Sequence, residues 1–177
     1  MQTITRKGNF DSAHRIVNHG GKCANMHGHT YNYELTISFD SMEAFNNKED
    51  IGYPIDFADL KSLAIGYIDA HYDHALIYNP KDPQLIPTIK INPQWKLVDM
   101  WLKDGEYCNP SVENIAFQLF VELNALFITN KCPFVIHSLR VYETPNSYTD
   151  MDWKVDNLLI NILTKKAFLL KRVQEWK

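Results

Sequence analysis

Thr30-Tyr31-Asn32-Tyr33-Glu34-Leu35-Thr36-Ile37-Ser38-Phe39-Asp40 alternates without a break. Its odd positions are aromatic or aliphatic and its even positions polar. Side chains leave a β-strand on alternate faces, so the pattern specifies a strand with one buried and one wet face. One-sided burial of that kind is usual in antiparallel sheets. Carried backwards, the same parity takes in His29 and His27 with Gly28 between them. In the absence of a bulge both imidazoles join Tyr31 on the inner face, and Gly28 leaves space for close approach.

The flanking sequence supplies the remaining elements. A weaker strand is expected over Gln2 to Ser12. Asp56 to His71 carries Phe57, Leu60, Ala64, Tyr67, Ile68 and His71 at helical spacing, with Asp56 as N-cap. A second helix is expected over Ser111 to Thr129, capped by Ser111, with Glu113 in its first turn. Val135 to Glu143 alternates again, placing Val135, His137, Leu139, Val141 and Glu143 on one face. Residues 147 to 153 suit a short fourth strand, and from Val155 the pattern turns helical. Strands come in pairs and do not alternate one-for-one with helices, which predicts an α+β fold with an antiparallel sheet. Five of the eight prolines fall between Tyr78 and Pro110. Proline resists helix and central strand. That stretch therefore reads as a long excursion with, at most, a helical turn near Trp95 to Leu102.

The chain has 177 residues, 45% of them apolar and 22% charged, which suits one globular domain. A formal charge of -3 argues against nucleic-acid binding through bulk charge. No apolar stretch follows the charges of the N-terminus, and no run approaches the roughly 20 apolar residues that span a bilayer. A cytoplasmic location without membrane partners is the expectation. Three cysteines do not make a disulfide scaffold.

Four of the seven histidines, His14, His19, His27 and His29, share a short window with Cys23. If the upstream strand pairs with the central one, His14 can join His27 and His29. Three imidazoles around an open fourth position make a catalytic zinc site. Taken singly, a histidine on an apolar strand is more often a hydrogen-bonded core residue than a ligand, and it is the same-face pair His27 and His29 that strengthens the metal reading. His19, beside Gly20-Gly21, reads as solvated. Cys23 has three readings from its position: a fourth ligand that closes the site, a base or nucleophile, or a buried apolar residue.

Several blocks together resemble one family. Phe10-Asp11-Ser12-Ala13-His14-Arg15 and Lys22-Cys23-Ala24-Asn25-Met26-His27-Gly28-His29-Thr30-Tyr31 are similar to the opening of the 6-pyruvoyl-tetrahydropterin synthase superfamily. Ile55-Asp56-Phe57-Ala58-Asp59-Leu60-Lys61, Tyr72-Asp73-His74-Ala75-Leu76, Pro110-Ser111-Val112-Glu113-Asn114-Ile115-Ala116 and Val141-Tyr142-Glu143-Thr144 continue the resemblance in family order. The three residues between Cys23 and His27 resemble the bacterial carboxy-forming branch of the queuosine pathway, since the pyruvoyl-forming type has a longer spacing.

The resemblance implies the tunnelling fold: a four-stranded antiparallel sheet with two helices on one face. To this the chain would add the 78–110 insertion and a 155–177 C-terminal helix. It implies a Zn2+ lyase acting on 7,8-dihydroneopterin triphosphate, assembled as a homohexamer or another trimer-based oligomer with sites at subunit interfaces. His14, His27 and His29 would bind zinc. Cys23 would be the proton-transfer base, with Asp73 and His74 completing its relay. Glu143 would grip the pterin and share in the relay, and Ser111 and Glu113 would contact the substrate. Adjacent residues rarely orient each other, so Asp73 and His74 are expected to meet different partners. There is no Gly-rich phosphate loop. Arg15 and Lys22 are the candidates for the triphosphate, and Cys108 and Cys132 read as spectators. The competing readings are a pyruvoyl-forming synthase and a zinc-stabilised pterin-binding module without chemistry.

Overall fold

A computed structural model describes residues 2–39, 53–101 and 106–152. The helix expected from Val155, and the residues Asp40, Leu102 and Trp153, lie outside the described residues. Six strands are formed: β1 Gln2–His14, β2 His27–Phe39, β3 Ala75–Tyr78, β4 Leu97–Asp99, β5 Val135–Thr144 and β6 Ser147–Asp152. The helices are α1 Phe57–Leu60, α2 Gly66–His71, α3 Leu85–Lys90 and α4 Val112–Thr129, with a π-helical turn at Lys61–Ile65 joining α1 to α2.

β1 and β2 pair antiparallel over their whole length, from Gln2 opposite Phe39 to His14 opposite His27. The alternation of β2 holds: Tyr31, Tyr33, Leu35 and Ile37 are at most 1% exposed. β5 and β6 add on the β2 side, both antiparallel. On the β1 side, β3 and then β4 lie parallel. The spatial order is β4-β3-β1-β2-β5-β6.

The fold is thus α+β, but the sheet is six-stranded and mixed, not four-stranded and antiparallel. The two extra strands are short and come from the region around the prolines. Short apolar runs carry no periodicity that distinguishes strand from helix. The 78–110 segment is correspondingly not a structureless excursion, since it holds α3 and β4. Pro87 is tolerated at the third residue of α3, where its missing amide would lack an intrahelical partner anyway. The turn expected near Trp95 to Leu102 is instead β4.

A second correction concerns β5. Its register shifts between Thr36 and Ile37 of β2, so Thr36 faces Ser138 and Ile37 faces Ile136. The extra residue is His137. A bulge of this kind reverses parity. Ile136 therefore turns into the core while Val135 is 41% exposed. Beyond the bulge Leu139 and Val141 point inward as expected.

Both long helical segments pack on one face of the sheet. Asp56 caps α1 by accepting from the Ala58 amide at 2.7 Å. Ser111 occupies the N-cap position of α4 with extended backbone, but its hydroxyl makes no capping bond. α4 is long and apolar enough to cross a membrane, but 72% of it is buried within this fold, which accounts for its apolarity. Glu122 on α4 is fully buried and accepts hydrogen bonds from Tyr72 Oη (2.7 Å), Tyr67 Oη (3.1 Å) and Gln118 Nε2 (3.3 Å). Satisfied in this way, a buried carboxylate fixes the packing of α4 against α2 instead of loosening it.

Candidate active site

The end of the β1–β2 ladder brings three histidines together. His14 lies directly opposite His27, and Ser12 opposite His29, so all three imidazoles share the inner face. Ring centroids are 4.5 Å apart for His14 and His27, 4.9 Å for His27 and His29, and 5.3 Å for His14 and His29. One ring nitrogen from each lies within 4.8 Å of the others. Gly28 allows the strands to approach closely between them, since a Cβ there would meet the Ser12 carbonyl oxygen at a tight 3.2 Å.

Backbone carbonyls orient two of the rings. His14 Nδ1–H donates to the Pro110 carbonyl at 2.6 Å, and His27 Nδ1–H to the Asn25 carbonyl at 2.8 Å. This assignment of the proton leaves Nε2 as the lone-pair atom, the usual way of aiming a ligating imidazole. Burial, the largest influence, lowers His14 to about 4, and burial also lowers His29. Both are therefore neutral near pH 7, as a ligand must be. No fourth protein atom joins the group among the described residues. Three imidazole nitrogens and an open position suit a zinc-type ion.

Other groups gather around Tyr31, whose ring lies edge-on to both His14 and His29. Its hydroxyl is 3.2 Å from His14 Nε2. Its phenol is pushed far above the ordinary range, first by burial and then by charge on Glu143 and Cys23. Glu143 Oε1 stands 3.9 Å from Nε2 of both His14 and His29. Cys23 lies in a 3-10 turn at Lys22–Ala24, and its carbonyl accepts from the Ile16 amide at 2.8 Å. The thiol is half-buried and outside the three-nitrogen group. Of the readings open for Cys23, a ligand that closes the site is not formed.

Asp73 and His74 lie elsewhere. Asp11, Ala13, Gly28 and Thr30 alternate with the inner residues and so point to the opposite face of the sheet. Thr30 Oγ1 donates to Asp11 Oδ1 there at 2.5 Å. Ala75 is in register with Ser12 and faces inward, which turns its neighbour His74 outward. His74 lines a groove of about 810 Å3 with Ala13, Gly28, Leu76, Trp95 and Lys96.

Contrary to the sequence expectation, Asp73 and His74 meet each other: His74 Nδ1–H donates to Asp73 Oδ2 at 2.7 Å. The backbone explains this. His74 has φ 55°, a left-handed conformation that folds its ring back over the preceding carboxylate. The turn is docked on β1, where the Asp11 amide donates to Asp73 Oδ1 at 2.9 Å and the His74 amide to the Asp11 carbonyl at 2.7 Å. The Asp11 amide, and after it His74, hold the Asp73 carboxyl below its usual range.

The remaining candidates divide. Ser111 is half-buried and adjoins Pro110, the residue that orients His14, whereas Glu113 is exposed in the first turn of α4. Arg15 does not face solvent as a phosphate ligand. Its guanidinium pairs with Gln84 and, at 3.6 Å, with buried Asp82, both in the 78–110 segment. Lys22 is exposed. Cys108 is buried, and burial pushes the Cys132 thiol up to about 12. Sequence reasoning passed over Tyr31, although its odd parity already placed it beside His29. It also passed over Lys96, which lies outside the motif blocks, and over the main-chain contacts that Pro110 and Asp11 make from within them.

Comparison with known proteins agrees with this geometry. A family model described as 6-pyruvoyl tetrahydropterin synthase matches residues 3–153. The 6-carboxy-5,6,7,8-tetrahydropterin synthase of Rickettsia typhi is 37% identical over 152 residues, covering 85% of this chain and 100% of the relative. The enzyme of the same name from Haemophilus influenzae is 32% identical over 157 residues, covering 85% and 98%. Among solved structures, an uncharacterized protein from Wolinella succinogenes superposes with TM-score 0.61 at 18% identity over 85% of this chain and 97% of its own. The 6-pyruvoyl tetrahydropterin synthase of Plasmodium falciparum gives 0.53 at 18% identity over 85% and 96%. The structural matches speak for the fold.

Proposed function

This chain belongs to the 6-pyruvoyl tetrahydropterin synthase family, and from that premise we propose that it is a Zn2+-dependent 6-carboxy-5,6,7,8-tetrahydropterin synthase. With one molecule of water it converts 7,8-dihydroneopterin triphosphate to 6-carboxytetrahydropterin, acetaldehyde and triphosphate. The observation that carries the reading is the group of three imidazole nitrogens within 4.8 Å, bordered by the Glu143 carboxylate.

His14, His27 and His29 would hold the ion, which when bound would supply Lewis-acid polarisation of the substrate's side-chain oxygens. Cys23 Sγ takes a proton from the side-chain carbon next to a polarised oxygen, a task suited to a thiolate. Glu143 accepts from a pterin ring N–H and the adjacent amino group, a bidentate pairing. Ser111 and Glu113 border the ring from the start of α4. The Asp73 carboxylate fixes the His74 proton on Nδ1 and leaves Nε2 to exchange protons with Cys23.

Within one chain the two halves of that relay lie on opposite faces of the sheet. We therefore assign the relay to two subunits of a trimer-based homo-oligomer, with Asp73 and His74 of one subunit serving the Cys23 site of the next. Mass spectrometry of the products from 7,8-dihydroneopterin triphosphate tests the reaction. The carboxy-forming reading predicts acetaldehyde and a 6-carboxyl product, whereas a 6-pyruvoyl product without acetaldehyde overturns it in favour of simple triphosphate elimination. Cys23→Ala separates both from a non-catalytic pterin-binding module: turnover falls by about 100-fold or more with zinc retained if the thiol is the base.

A further inference from the structure

The turn that carries Asp73 and His74 is held from two sides, and only one of them is β1. From the other side, Lys96 Nζ donates to the Asp73 carbonyl at 2.6 Å and to the Asp69 carbonyl at 3.3 Å. Asp69 lies in the last turn of α2, where carbonyls lack intrahelical partners and a cation is favoured by the helix dipole. Lys96 is itself fixed, because its carbonyl accepts from the Leu76 amide at 2.9 Å where β3 meets β4. The lysine thus ties the end of α2, the left-handed turn and the start of β4 together.

Left-handed backbone is costly for a residue with a side chain and persists only where the surroundings enforce it. At His74 it is also what brings the ring onto Asp73 Oδ2. We propose that Lys96 is a positioning residue: by clamping the Asp73 carbonyl it holds the 73–74 turn closed and keeps His74 in the Nδ1–H form paired with Asp73. Its ammonium does not touch the reacting atoms, and its bonds go to main-chain oxygens. The charge of Lys96 also favours ionised Asp73, after the Asp11 amide and His74. A sequence reading gives this lysine no role, since it lies in the proline-rich segment, far from every motif.

The positioning claim stands on the geometry of the turn, and its effect on turnover rests on the function proposed above. The test uses the full-length protein with Lys96→Met and Lys96→Arg. The lysine is exposed, so neither substitution disturbs the core. Imidazole 15N NMR reads the tautomer of His74 directly. The expectation is a dominant Nδ1–H form in the wild type, mixed tautomers in Lys96→Met, and recovery in Lys96→Arg. In parallel, kcat for dihydroneopterin triphosphate falls about tenfold in Lys96→Met with KM and bound zinc unchanged, and Lys96→Arg restores most of it. An unchanged tautomer in Lys96→Met overturns the proposal, whatever the kinetics. A tautomer shift with kcat unchanged upholds the clamp and counts instead against a role for the Asp73–His74 pair in turnover.

Discussion

The two faces of the β1–β2 end are built in opposite ways. On the inner face, three imidazoles sit together, His14 buried and His27 and His29 partly so, and two of them are aimed by carbonyls from Pro110 and Asn25. On the outer face, the His74 side chain is 78% accessible and Asp73 half-buried, and the pair rests on a left-handed turn. The inner site is made rigid by burial and by the register of two long strands. The outer pair is held by hydrogen bonds to main-chain atoms. An ion that must be bound tightly calls for the first construction, and a proton carrier that must reach a neighbouring site calls for the second.

The contrast predicts a hierarchy of effects. His27→Ala removes an inner ligand, so bound zinc falls to trace levels and turnover drops by about 1,000-fold or more, measured by metal analysis and product assay. Asp73→Asn keeps zinc at wild-type occupancy but lowers kcat by about 100-fold, because the amide no longer holds the His74 proton on Nδ1. Equal zinc loss in both variants would erase the distinction between the faces. The smallest effect is on stability. His14 is lowered from 6.5 to about 4 by burial, so between those values the unfolded chain binds a proton that the folded chain does not. The contribution is complete above pH 6.5 and is lost as pH falls toward 4. Urea unfolding of metal-free protein across that window should show the decline, and His14→Phe should flatten it.

Much of the inner face was legible in the sequence, and the reason is periodicity. The alternation of Tyr31 to Phe39 extended without a bulge through His29 and His27, and the antiparallel partner brought in His14. Where a bulge did intervene, at His137, the same reasoning misassigned Val135 and Ile136. The outer face was not legible. β3 and β4 are too short to show a period, and the meeting of Asp73 with His74 depends on a single positive φ that no pattern announces. Arg15 likewise has contacts that the sequence does not show. Its charge suggested a phosphate ligand, but its partner Asp82 lies 67 residues away in sequence and is fully buried.

The central claim, that inner cluster and outer pair of different subunits make one site, is tested most directly by complementation. His27→Ala and His74→Ala chains, each inactive alone, are unfolded and refolded together with zinc to give mixed oligomers, whose composition is verified by native mass spectrometry. The account predicts that mixed assemblies recover a substantial fraction of wild-type turnover, because some interfaces then pair an intact zinc site with an intact His74. Mixed assemblies that stay as inactive as either parent would contradict it.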